Sequence, residues 1–147
     1  MRGLACFLVV AALGCQSEPP CPAGTFTQMR SCVFKTSCTL SMSCHGNGGA
    51  MGALDLETDP YTALMQPPDP VGAAKRGWNV PPSWKRVTPG DETTSFLWIK
   101  LAAPFDQNGK VLQKQYGDHM PDTSGQALDE GTLVQILDWI RAGAPND

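Results

Sequence analysis

A mainly α fold of about four short helices, joined by long irregular loops, is what this sequence predicts, on three observations. Apolar residues recur at helical spacing in two well separated segments, 26–34 and 133–140. Glycine and proline together supply 28 of the 147 residues, the sum of 15 and 13, which is high for a bundle of long helices and demands shaped loops. No stretch shows convincing strand alternation.

The N-terminus reads as an export signal. Arg2 precedes an apolar run from Leu4 to Leu13, too short to span a bilayer, that ends at Gly14-Cys15. Ala12-Leu13-Gly14-Cys15 is similar to a bacterial lipobox, so residues 1–14 are expected to be cleaved and Cys15 to carry lipid. Residues 15–20 then form a lipidated cysteine and short polar tether, and residues 21–147 one domain. Export places the chain in an oxidising compartment, where Cys21, Cys32, Cys38 and Cys44 can pair in three ways. The net charge of -3, with no basic cluster, argues against nucleic acid as a partner.

Phe26, Met29, Val33 and Phe34 predict a first helix of about three turns leading into Cys38. Residues 46–52 are glycine-rich and unsuited to a regular element. Thr58 or Asp59 can cap a helix with Pro60 in its first position, running to about Met65. Residues 66–89, rich in proline and holding Trp78 and Trp84, predict an irregular loop whose tryptophans cover apolar surface. Asp91 is expected to cap a helix over 92–101 with Phe96, Leu97 and Leu101 on one face. Residues 110–116 read as a short strand or extended loop. The last helix opens at Asp129-Glu130, buries Leu133, Ile136, Leu137 and Ile140, and ends at Gly143. Phe26 and Trp139 are expected to join the first and last helices.

Ser41-Met42-Ser43-Cys44-His45 reads as a haem-attachment motif whose first thiol is missing, because in Cys-x-x-Cys-His two thiols reach the haem vinyl groups and the histidine ligates iron. The nearest upstream thiol is Cys38, separated from Cys44 by five intervening residues rather than two. Three arrangements stay open: Cys38 stands in for the missing thiol, Cys44 alone forms a thioether, or Cys38 and Cys44 bridge each other and leave His45 an ordinary polar residue. Cys38, Cys44 and His45, with Cys32 as fourth ligand, are also a candidate zinc or copper set. A hydrolase is disfavoured, since there is no Gly-x-Ser-x-Gly elbow and the only histidines are His45 and His119. The glycine-rich stretch lacks the Lys-Ser/Thr ending of a phosphate loop.

The landmarks occur in a recognisable order: Cys44-His45-Gly46, Leu54-Asp55-Leu56, Arg86-Val87-Thr88-Pro89-Gly90-Asp91, Ser95-Phe96-Leu97-Trp98-Ile99-Lys100-Leu101, Met120-Pro121 and Trp139-Ile140-Arg141-Ala142-Gly143-Ala144. Across nearly the whole mature chain this resembles the class I cytochrome c fold, most of all the divergent exported cytochrome c-like domains of lipoproteins in myxobacteria and planctomycetes. The resemblance implies covalently bound haem c, attached through Cys44 and Cys38, with His45 and Met120 as axial iron ligands. His119 is the rival for Met120, but adjacent residues in an extended loop point opposite ways, and His119 is read as a solvated loop residue. Arg86 is the candidate partner of a haem propionate. Trp78, Trp84 and Trp98 are candidate haem-pocket walls, with core packing the commoner role. The implied function is electron transfer, not enzymatic turnover, between redox partner proteins of a bacterial cell envelope, with lipid anchoring at the periplasmic or outer membrane. The alternative is a haemless, disulfide-stabilised lipoprotein module of the same fold with a binding or structural role.

Overall fold

The computed structural model describes residues 24–46, 51–69, 80–102, 116–117, 119–121 and 128–147. Among these residues four α-helices occur, α1 (Phe26–Met29), α2 (Pro60–Leu64), α3 (Phe96–Leu101) and α4 (Glu130–Arg141). Among the described residues there is no strand, only isolated bridges between Lys85 and Ser95 and between Thr88 and Asp91. The mainly α prediction holds. The expected signal and tether, Cys15 and Cys21, Trp78 and the extended segment at 110–115 lie outside the described residues.

α1 starts in a capping box: Thr25 accepts from the Gln28 amide, and the Gln28 side chain accepts from the Thr25 amide. The expected single α-helix does not continue to Cys38. After Met29 the chain widens into a π-helix, Arg30–Cys38, closed by the bond from the Thr39 amide to the Phe34 carbonyl. The apolar reading survives this change, since Phe26, Met29, Val33 and Phe34 are all buried.

α2 begins where capping chemistry places it, with Asp59 accepting from the Thr62 amide at 3.2 Å and Pro60 in the first turn. α3 starts four residues later than expected. The Asp91 carboxylate accepts from the Thr93 amide and from the Thr93 and Thr94 hydroxyls, which holds residues 91–94 in a turn. The fully buried Ser95 hydroxyl then donates to the Asp91 carbonyl and accepts from the Thr88 amide, so the helix starts at Phe96.

α4 follows its prediction at both ends. The Asp129 carboxylate accepts from the Thr132 amide and hydroxyl. At the other end the Gly143 amide bonds the Ile140 carbonyl and the Ala144 amide bonds the Trp139 carbonyl, with Gly143 at φ 94°, a Schellman stop. Its buried face differs from the expected one: Thr132, Ile136, Trp139 and Ile140 are buried, whereas Leu133 is half-buried and Leu137 is not fully covered. Trp139 sets this rotation because its ring enters the core between the helices.

The predicted contact between Phe26 and Trp139 is present, with the rings stacked at 5.8 Å between centroids. Tyr61 of α2 packs edge-on against Phe26 at 5.1 Å and donates its hydroxyl to the Ala144 carbonyl. The cluster therefore joins α1, α2 and α4, leaving α3 and the loops to enclose the space on the far side of Met29, Val33 and Leu64.

Candidate functional site

A cavity of about 210 Å³ opens beside this core, with a mainly apolar lining that includes Leu54, Leu56, Leu64, Leu97 and Leu101. Leu54 and Leu56 face it from a short extended stretch. Between them Asp55 turns outward and accepts from the Glu57 and Thr58 amides. The alternation within Leu54-Asp55-Leu56 thus has a local cause, one carboxylate held in a turn and two leucines inward.

Four of the residues singled out from the sequence, Cys38, His45, Arg86 and Met120, line this one cavity. They come from the end of the π-helix, the loop after it, the segment before α3 and the late Met-Pro loop. Cys44 does not line it; its sulfur lies 3.3 Å from the Ser41 hydroxyl.

The backbone explains how Cys38 and His45 meet. In an α-helical Cys-x-x-Cys-His, the histidine amide bonds the carbonyl of the first cysteine, four residues back. Here the His45 amide bonds the Cys38 carbonyl at 2.9 Å although the two are seven residues apart. Residues 39–43 loop out between them and carry exposed Leu40 and Met42. The Cys44 amide closes a turn onto Ser41, and the Leu56 amide reaches the His45 carbonyl at 2.7 Å. Gly46 completes the approach. A Cβ there would sit 2.6 Å from the Thr39 Cβ, closer than two carbons can stand, so Gly46→Ala is expected to lower stability by about 1–3 kcal/mol in a urea titration. A loss below about 0.5 kcal/mol would show that the turn yields freely.

The His45 ring is fixed by its neighbours. Nδ1 lies 3.3 Å from the Leu54 carbonyl oxygen, which can only accept, so that bond places the ring proton on Nδ1 and the lone pair on Nε2. Burial lowers the imidazole below its ordinary pKa, outweighing the Leu54 and Met51 carbonyls, and the Arg86 and Lys100 charges act in the same direction. The neutral ring is the form a metal ligand needs. His119, by contrast, is absent from the cavity wall and turns its Nε2 to the Leu101 carbonyl, while Met120 lines the cavity. The two neighbours do point different ways, but His119 is half-buried and bonded to Leu101, not the solvated loop residue expected.

Arg86 is not the surface residue that its composition allows. It is only 7% exposed and donates to the carbonyls of Ala63, Gly52 and Ala53 at 3.0, 3.3 and 2.8 Å. Burial lowers its pKa and the Asp69 charge opposes this. These bonds tie the 3₁₀ turn Met51–Ala53 to the end of α2, one residue before the Leu54 carbonyl that orients His45. The expected role toward a bound carboxylate is therefore at most shared with a bracing one.

The cysteines rule out two of the sequence alternatives. Cys38 and Cys44 are free thiols, so neither the bridge between them, one of the three arrangements left open, nor a two-disulfide staple of Cys21, Cys32, Cys38 and Cys44 is formed. Cys32 is disulfide-bonded, with a partner that is neither of these two, and so does not supply a fourth metal ligand. Among the described residues no group of three His, Cys, Asp or Glu side chains is placed to hold a metal ion. Burial, with Cys44 nearby, pushes the Cys38 thiol up to about 12. Trp84 and Trp98 are absent from the cavity wall; Trp84 packs on Tyr116 at 5.4 Å and Trp98 against the core.

Lys100 stands in the last turn of α3, where a cation suits the helix C-terminus, and it also lines the cavity and donates to the Tyr116 carbonyl. Its place in Ser95-Phe96-Leu97-Trp98-Ile99-Lys100-Leu101, three residues after Leu97, was the signal available, because residues three apart share a helix face. Asp69 gave no signal. The donors assembled here, a neutral imidazole, a thioether and a thiol on an apolar wall with two cations, fit an amphipathic iron porphyrin with carboxylate arms. No family model, curated protein or solved structure matches the chain. Among the described residues no helix is long and apolar enough to cross a membrane.

Proposed function

We propose that the chain is a lipid-anchored, cell-envelope monohaem c-type cytochrome-like electron carrier, built on a cytochrome c-like fold. One observation carries the reading: Cys38, His45, Arg86 and Met120, spread from residue 38 to residue 120, meet on a single apolar cavity. Envelope placement and lipidation at Cys15 rest on the N-terminal sequence pattern.

His45 offers Nε2 to iron while Leu54 holds the opposite side of the ring. Met120 offers its thioether, its amide fixed to the Lys100 carbonyl at 2.9 Å. Haem bound there supplies a one-electron iron couple, and a thioether ligand favours the reduced state and raises its potential. Held by both His45 and Met120, the group would serve electron transfer and not oxygen chemistry. The leucines and Phe96 keep water from the ring, and Lys100 adds positive charge suited to a carboxylate arm.

The experiment is an absorption spectrum of the matured protein. A Soret band with a sharp reduced α band is expected; a colourless protein sinks the reading in favour of a binding or structural module. Met120→Ala is expected to remove the sulfur-to-iron charge-transfer band near the red edge of the oxidised spectrum. If the band persists in that variant, Met120 is not the sixth ligand.

A further inference from the structure

We infer that covalent attachment in this cavity is through Cys38 alone, with Cys44, the cysteine next to the histidine, dispensable for it. The inference rests on the haem reading above and deepens it.

The positions of the two sulfurs separate their roles. Cys38 stands on the cavity wall with His45, held there by the bond between its own carbonyl and the His45 amide. Cys44 adjoins His45 in sequence but lies off the wall, its sulfur beside the hydroxyl of exposed Ser41. The looped-out residues 39–43 account for this exchange. They absorb the surplus between the cysteines, so the thiol that opens the motif keeps the cavity position while the second, half-buried like the first, stands off the wall.

One further observation agrees. Cys32 is engaged in a disulfide with neither residue, which leaves the Cys38 thiol available in an oxidising compartment. Attachment needs no oxidant and expels no leaving group. The Cys38 S–H bond adds across a vinyl C=C, forming one C–S bond and one C–H bond.

The test uses the full chain matured in a host with haem-attachment machinery, then extracted with acidified acetone, which strips haem not held by a covalent bond. The wild-type chain should retain the mass of one haem on the peptide containing Cys38, Cys38→Ser should lose all of it, and Cys44→Ser should retain it. Retention in Cys38→Ser, or a thioether mapped to Cys44, overturns the inference. Haem visible in the native wild type but fully extractable overturns it too while leaving the electron-carrier reading intact. A wild type with no Soret band removes the electron-carrier reading itself. Iodoacetamide on the haem-free chain gives a separate readout: Cys44 should alkylate at least about tenfold faster than Cys38. Equal rates, or faster reaction at Cys38, would contradict the placement of the two sulfurs.

Discussion

Arg86→Met is expected to lower the free energy of unfolding by about 3–5 kcal/mol, read from urea titrations followed by tryptophan fluorescence. The guanidinium is buried and bonded to three backbone carbonyls, so its removal strands the oxygens of Ala63, Gly52 and Ala53 where water has little access. Methionine restores volume but no donor. Arg86→Lys should fall between, because one ammonium on a flexible stem cannot reproduce a planar fork spanning two chain segments. A loss under about 1 kcal/mol for the methionine variant would mean that solvent replaces those bonds and that the brace is incidental. The effect should extend to the cavity, since the braced turn leads directly to the Leu54 carbonyl that sets the His45 tautomer.

Trp139→Ala should be of similar size, about 3–5 kcal/mol, because it opens a void at the meeting point of three helices. The ring stacks on Phe26, which in turn packs on Tyr61 and Phe34, and its indole N–H donates to the Pro145 carbonyl at 2.9 Å. Trp139→Phe keeps much of the volume and loses only the donor, so about 1–2 kcal/mol is expected. The two variants should differ clearly in the same titration. Equal losses would place the energy in the hydrogen bond, not in packing.

Legibility in the sequence divides along physical lines. Where a residue ends its own helix, Asp59 and Asp129 through their carboxylates and Gly143 through its positive φ, sequence spacing located the terminus because the cause is local. The start of α3 was misplaced because Asp91 also resembles a helix cap. What diverts it is the pair of threonine hydroxyls that follow, together with a serine buried against Thr88. The π-helix Arg30–Cys38 leaves no trace in apolar spacing, since Val33 and Phe34 are buried under either winding. The cavity residues His45, Arg86 and Met120 were found through their dipeptide and tripeptide contexts. The separation of Cys38 from Cys44 could not be read, because it depends on the bond across the loop between Cys38 and His45.

The backbone amides of Phe26 and Thr27 and the Thr27 hydroxyl at the start of α1 all donate to Asp147, whose carboxylate and carbonyl accept at 2.6 to 3.0 Å. Trp139 and Ala144 press on the same helix and its neighbour α2. The segment that presents Cys38 and His45 is therefore secured by residues made about a hundred positions later in synthesis. While the chain is still being made, Cys38, Cys44 and His45 lie in a stretch that these later contacts do not yet hold. On the proposed reading, haem would enter the finished cavity only after Trp139 and Asp147 have been made, and chains cut short upstream of Trp139 should accumulate without it.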